Sequence, residues 1–261
     1  MIDFHDHLVP GVDDGAASLD ESRAALAEYR SQGVRAVIAT PHLKASLLER
    51  PAAFAEEMER MDAAWASLKE MAAAEFPEIR LERGVELMLD TPEPDVSDPR
   101  LRLAGTKAVL VEFPFMAIPP NAPAAFFNLK LRGFRPVLAH PERYPNLAAD
   151  LADAAEWKRV GAALQVNAGS IVGAYGPEAK KRAWELLRRG LVDYVCSDFH
   201  ARGRLHLAAC RAELERALSP EAAEVLTATN AARLLEGEPP VSMPVAAPAE
   251  APFWKRLFGR G

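Results

Sequence analysis

The chain has 261 residues, 49% of them hydrophobic and 26% charged, with a formal net charge of −6. That length allows one large domain or two small ones, and the acidic balance excludes a broad basic surface for nucleic acid. Two cysteines, Cys196 and Cys210, exclude a disulfide scaffold and a thiolate zinc site, and no apolar run reaches the roughly 20 residues that span a bilayer. The opening "MIDFHDH" has no basic region followed by a long apolar stretch, so no signal peptide is expected and the chain reads as cytoplasmic.

Short apolar, β-branched runs predict strands at 2–4, 34–40, 79–87, 107–113, 135–139, 163–167 and 192–197. Between most of them lie Ala-, Leu-, Glu- and Arg-rich stretches with helical spacing. Ser18 and Glu21 form a capping-box signal for the first helix, which Gly33 closes. The outward face of that helix (19–32) is a candidate contact in a homo-oligomer. Residues 52–76 predict one long helix.

Strands alternating with helices imply parallel strands joined by right-handed crossovers. The expected fold is therefore α/β, a TIM-like barrel one unit short. A doubly wound open sheet is the competing topology, but no glycine-rich dinucleotide or phosphate loop is present to favour it. At 237 the composition changes. Residues 1–236 form the expected catalytic unit, and 237–261 a Pro/Ala-rich extended tail. Its end, "FWKRLFGRG", is a candidate docking peptide for a protein partner or a membrane surface.

The polar residues fall in register with the strands. His5 and His7 follow the first, and His42 the second. Glu86 lies near the end of the third and Glu112 at the end of the fourth. His140 follows the fifth, and Asp198 and His200 the seventh. The carboxyl ends of parallel barrel strands open on one face, where such enzymes build their sites. So many imidazoles and carboxylates on one rim need compensating charge, which divalent metal supplies. Nitrogen and oxygen donors suit Mn, Fe, Zn, Co or Mg. Their number calls for two to three ions, bridged by carboxylates such as Glu112 and Asp198. Arg143 lies just beyond the fifth-strand ligand, and Arg202 and Arg204 just beyond His200. Guanidinium groups bind phosphate oxygens in pairs, which favours a phosphoester substrate.

The ordered motifs "HDHLVPGVDDG", "ATPH", "VELMLD", "LVEFP", "HPERY" and "SDFH" resemble the bacterial metal-dependent protein-tyrosine phosphatases of the polymerase-and-histidinol-phosphatase (PHP) superfamily. The resemblance covers residues 1–236. It implies a distorted barrel of seven βα units that holds up to three ions, usually manganese. The implied activity is removal of phosphate from the tyrosine-rich tail of the autophosphorylating kinase that controls capsule and exopolysaccharide length. The implied ligands are His5, His7, Asp14, His42, Glu86, Glu112, His140, Asp198 and His200. Asp13 is then a turn residue or a partner to a ligand. Arg143 matches the family's phosphate-binding arginine, and spacing points to Arg204 as a second. His42 or a metal-coordinated water is the candidate proton donor to the leaving tyrosine oxygen. Asp6 and Phe199 depart from the usual pattern, in which small residues stand at those places.

Several other readings compete. A small-molecule phosphatase of the same superfamily would act on a histidinol-phosphate-like ester. An amidohydrolase or deoxyribonuclease barrel also begins with "HxH". In a non-catalytic partner, metals would only stabilise the fold. The string "CSDFHAR" (196–202) also matches the Cys-x5-Arg pattern of thiolate phosphatases. It lacks glycine between Cys196 and Arg202, and Asp198 would repel both phosphate and thiolate.

Overall fold

The computed structural model describes residues 1–244. Its strands are β1 (Ile2–Asp3), β2 (Ala36–Ala39), β3 (His42–Lys44), β4 (Arg80–Arg83), β5 (Glu86–Met88), β6 (Ala108–Glu112), β7 (Arg135–Ala139), β8 (Ala163–Asn167) and β9 (Tyr194–Cys196). They form two sheets, ordered β1-β2-β4 and β3-β5-β6-β7-β8-β9, and every pairing is parallel. The helices are α1 (Leu19–Ser31), α2 (Pro51–Glu75), α3 (Ala122–Leu131), α4 (Ala152–Val160), α5 (Ala168–Val172), α6 (Pro177–Arg188), α7 (Leu207–Ala217), α8 (Pro220–Glu224) and α9 (Asn230–Leu235). This is a mixed α/β fold with parallel sheets.

Side-chain parity sorts the strands into two cores. Val109 and Val111 of β6, and Leu164 and Val166 of β8, pack in the larger core that also takes in the helices. The alternate positions Ala108 and Leu110 join Phe4, Ile38, Val137, Ala139, Tyr194 and Cys196 in a second core, closed below by Ala231 and Leu234 of α9. That inner core draws on strands of both sheets. In β6 the inner parity continues to Glu112, and in β8 it falls on Gln165 and Asn167.

The two sheets part at "ATPH". Pro41 has no N–H to give and follows the end of the strand predicted at 34–40, and a further short strand, β3, begins at His42, where the sequence placed only a residue following the strand. Backbone bonding nonetheless crosses the break. The Gly84 N–H donates to Ala39 O at 2.9 Å and the Glu86 N–H to Pro41 O at 3.0 Å. The predicted third strand is split, and Glu86 begins β5 rather than ending a longer strand. On the opposite flank a single parallel bridge joins Asp6 to Phe199. There the Asp198 N–H donates to His5 O (2.8 Å) and the His7 N–H to Phe199 O (2.9 Å).

In α1 the Ser18 hydroxyl accepts the Glu21 N–H, while the Glu21 carboxylate takes the N–H of Ala17 rather than that of the cap residue. Helix α2 starts on Pro51, whose missing N–H costs nothing in a first turn. Within the expected tail, residues 238–244 lie against the body. Asn230 exchanges hydrogen bonds with Val241, and Met243 is buried. The segment "FWKRLFGRG" lies outside the described residues. Among those described, no helix is long and apolar enough to cross a membrane.

Candidate metal centre

Of the first two candidate ligands, His5 and His7, the second is set by the loop that follows it. The Ala16 N–H donates to His7 O at 2.9 Å, folding the loop back over the histidine. A Cβ on Gly15 would lie 2.1 Å from His7 O and 2.4 Å from His7 Cβ, so only glycine fits there. Asp13 organises the turn. Its Oδ1 accepts the Gly15 N–H (3.0 Å), and its Oδ2 accepts the His42 N–H (3.1 Å) and lies 2.7 Å from His7 Nδ1. Asp14 is left on the open side, 3.6 Å from His42 Nε2 and 3.5 Å from His200 Nε2.

Glu86 is the centre of the cluster and is fully buried. Its Oε2 lies 3.1 Å from His5 Nε2, 3.5 Å from His7 Nε2 and 3.1 Å from His42 Nδ1, and its Oε1 lies 3.0 Å from His140 Nε2. Glu112 Oε1 is 3.1 Å from His42 Nδ1. Asp198 Oδ1 is 3.4 Å from both His5 Nε2 and His7 Nε2. Four groups each offer ligand atoms within 4.8 Å of one another: His7–Asp14–His42–His200, His5–His140–Asp198, His5–His7–Glu86 and His42–Glu86–Glu112. Together they comprise the nine residues carried over from the resemblance. Glu86 belongs to two groups, whereas Glu112 and Asp198, the expected bridges, belong to one each.

These donors fit a cluster of divalent cations. His5 Nε2, His7 Nε2, His42 Nδ1, Glu86 Oε2 and Glu112 Oε1 are buried and make no hydrogen bond among the described residues. Buried polar atoms rarely stay unpaired, and five aimed at one place call for a common partner. Electrostatics points the same way. Burial pulls the His5 pKa down, but the Glu86 and Asp198 carboxylates overcome it and hold it at about 9. Burial likewise opposes charge on His7 and His42. Asp13 and Asp198 hold the pKa of His7 well above its usual value, and Glu112 and Glu86 hold that of His42 up. Burial alone would raise the acids, yet the imidazoles hold Glu86 and Asp198 well below the ordinary carboxylate range. The site demands positive charge, carried by protons where no metal carries it.

Gln165, Asn167 and Glu142, which no sequence motif marks as candidate ligands, surround the cluster and position its members. Gln165 Oε1 lies 2.8 Å from His5 Nδ1 and turns the opposite ring edge inward. Asn167 Nδ2 donates to Asp198 Oδ2 at 2.6 Å, and Arg143 Nη1 donates to the same oxygen at 2.9 Å. Buried Glu142 accepts from the Ser170 hydroxyl (2.6 Å) and the Asn167 N–H (3.0 Å). Asp6 is buried, neither of its oxygens makes a hydrogen bond by distance and angle among the described residues, and it enters none of the candidate groups; burial and Asp3 push its carboxyl pKa well up. Arg202 reaches Gly15 O at 3.2 Å, on the Asp14 side. Arg204 is exposed and makes no hydrogen bond or ion pair with the cluster among the described residues; its charge lowers the pKa of the nearby His206.

One open cavity borders the cluster and a second adjoins the first. The first, of about 450 Å³, is lined by Asp14 and His42 with Val12, Leu43, Leu47 and Met88. The second, of about 550 Å³, shares Lys44 and Met88 with it and extends past Phe113 to Phe115, which is 98% exposed. Cys196 contributes nothing here. It is fully buried, and burial and Asp3 push its thiol well above the usual range.

Residues 1–236 match the family model described as capsular polysaccharide synthesis, CpsB/CapC. The chain is 34% identical over 204 residues to the tyrosine-protein phosphatase YwqE of Bacillus subtilis, covering 77% of each chain. It is 31% identical over 207 residues to the tyrosine-protein phosphatase CpsB of Streptococcus pneumoniae, covering 77% of this chain and 83% of that one. In structure it superposes with a TM-score of 0.78, at 29% identity, on a chain from a crystallographic study of YwqE and CpsB as metal-dependent tyrosine phosphatases. That match covers 96% of this chain and 100% of the other.

Proposed function

The chain belongs to the CpsB/CapC family of capsular polysaccharide synthesis, and from that membership we propose that it is a metal-dependent protein-tyrosine phosphatase acting on the phosphorylated tail of a bacterial tyrosine kinase that governs capsule or exopolysaccharide assembly. The observation that carries the reading is the convergence of nine His, Asp and Glu side chains able to hold metal beside an arginine that makes one side-chain hydrogen bond among the described residues. The proposal includes two to three ions, manganese as the resident metal, action in the cytoplasm, and residues 1–236 as the catalytic unit. It also includes closure of the seven strand segments into one barrel. The Asp6–Phe199 bridge, the bonds across the Pro41 break and the shared inner core support that closure.

Bound divalent ions would supply charge to neutralise the phosphoryl group and acidity to activate water. The nine side chains would hold them, with Gln165 and Asp13 fixing the ring orientations of His5 and His7. Arg143 spends one N–H on Asp198 and keeps the others for phosphate oxygens. Water adds to phosphorus as the bond to the tyrosine oxygen breaks, and that oxygen must gain a proton. His42 turns Nδ1 toward Glu86 and Glu112 and Nε2 toward Asp14 at the rim, so either His42, where it is not spent on a metal, or a water held in the site is the candidate donor of that proton. The cavity beside Asp14 and His42 has apolar walls suited to an aryl group, and the open groove running to Phe115 leaves room for a polypeptide.

The test is turnover of metal-stripped protein with each metal added back. Phosphotyrosine peptide, histidinol phosphate and a cyclic amide would be compared as substrates. Metal-dependent release of phosphate chiefly from the peptide is expected. Preference for histidinol phosphate would make the chain a small-molecule phosphatase, and turnover of the amide alone would overturn phosphoester chemistry.

A further inference from the structure

Arg143 is gripped on two sides. Its Nη1 donates to Asp198 Oδ2 at 2.9 Å, and its guanidinium carbon lies 4.8 Å from the centroid of the Tyr175 ring. Tyr175 comes from the turn between α5 and α6, 32 residues further along the chain. That turn is folded against α5 by the Ala174 N–H, which donates to Gly169 O at 2.7 Å. The ring then rests on the backbone of Gly169. A Cβ at 169 would lie 2.7 Å from Tyr175 Cε2 and 3.2 Å from Cδ2 and Cζ. The turn bearing Arg143 is tied to the same short helix, because the neighbouring Glu142 accepts from Ser170 and Asn167. Gly169, Tyr175 and Arg143 thus belong to one packed unit.

A single hydrogen bond to Asp198 fixes one nitrogen of a guanidinium but leaves the plane free to swing about it. A long arginine carries considerable rotamer entropy, so a free plane would have to be ordered each time phosphate bound. An aromatic face on the cation removes that freedom beforehand. We propose that Tyr175, seated on Gly169, is a positioning residue that orients Arg143 for the phosphoryl group. This rests on the reading of Arg143 as the phosphate-binding arginine. The ring is the working part, because the Tyr175 hydroxyl makes no hydrogen bond among the described residues.

The test uses metal-loaded enzyme with p-nitrophenyl phosphate, which has no peptide for Tyr175 to touch, and inorganic phosphate as a competitive inhibitor. Tyr175→Leu is expected to lower kcat/KM and weaken phosphate inhibition by about fivefold to tenfold, with metal content unchanged. Tyr175→Phe should bring both back to within about twofold. Gly169→Ala, which displaces the ring without removing it, should reproduce the Leu effect and add nothing to it in the double variant. In an Arg143→Ala background Tyr175→Leu should have no further effect. An equal loss with and without Arg143, or no loss in its presence, would overturn the proposal. Unaltered phosphate inhibition in Arg143→Ala alone would instead overturn the reading of Arg143 beneath it. Loss of metal with phosphate inhibition intact would reduce Tyr175 to a structural role.

Discussion

Asp13 Oδ2 lies 2.7 Å from His7 Nδ1, on the opposite edge of the ring from the Nε2 that faces Glu86 and Asp198. That contact fixes the ring and leaves Nε2 for a metal. The same carboxylate also takes the N–H groups of Gly15 and His42, so one side chain sets a ligand, its loop and the start of β3. Asp13→Ala is therefore expected to weaken metal binding by about 10- to 100-fold. Turnover at saturating metal should fall much less. Activity measured against free metal concentration checks this, and an unchanged half-saturation point would contradict it.

Metal binding should release protons. In the metal-free chain the carboxylates hold His5 at about 9 and raise His7 and His42, so His5 is charged at neutral pH and the other two are biased toward the charged form, while metals require them neutral. Apparent affinity should then rise with pH from about 6.5 to 9. Stability of the metal-free fold moves the other way. A raised His5 pKa contributes stability that is complete below the unfolded value near 6.5 and is lost as pH climbs through about 9. The depressed Glu86 and Asp198 contribute above the unfolded carboxylate range and lose that contribution as pH falls. Melting temperatures in chelator should decline from pH 6.5 to 9, with a smaller decline when metal is bound. A rise over that interval in chelator would refute the charge assignment.

The nine candidate ligands were legible in the sequence because few other residue types could do that chemistry, and because strand ends gather them without long-range knowledge. The groups behind them were harder to see. Gln165 and Asn167 hold the polar positions of the alternating "ALQVN", a period-two signal that inward-facing polar groups had work to do. The β2–β3 break was encoded by Pro41, although a proline at a strand end reads equally well as a loop. The stacking of Tyr175 on Arg143 had no local signal. It depends on two turns meeting through Glu142 and on the absence of a side chain at Gly169. Spacing favoured Arg204 over Arg202, but the turn at 201–204 sends Arg202 to Gly15 instead.

Cys196 tests which phosphatase chemistry operates. Its thiol is buried beneath the ligand rim, kept protonated by burial and by Asp3. Cys196→Ser should therefore retain turnover per folded, metal-loaded molecule within about threefold. It should lose about 1–3 kcal/mol of stability, from burying a hydroxyl in an apolar layer. Abolished turnover with normal metal content, or a trapped phosphocysteine, would restore the thiolate mechanism.

Gly15 and Gly33 separate a steric requirement from a conformational one. At Gly33 the backbone is left-handed (φ +74°) with nothing within 4 Å of an added Cβ, so Gly33→Ala should cost about 1–2 kcal/mol and leave the metal centre intact. At Gly15 the added Cβ would collide with the oxygen and Cβ of His7, which cannot swing aside as a flexible side-chain end could. Gly15→Ala must lift the 13–16 loop, breaking the Ala16–His7 hydrogen bond and carrying Asp14 away from His42 and His200. Stability should fall by about 1–3 kcal/mol. The His7–Asp14–His42–His200 group should lose its metal before the groups built on Glu86 do. Metal analysis alongside thermal melts distinguishes the two variants. Full metal occupancy in Gly15→Ala would show that the loop can yield without moving Asp14.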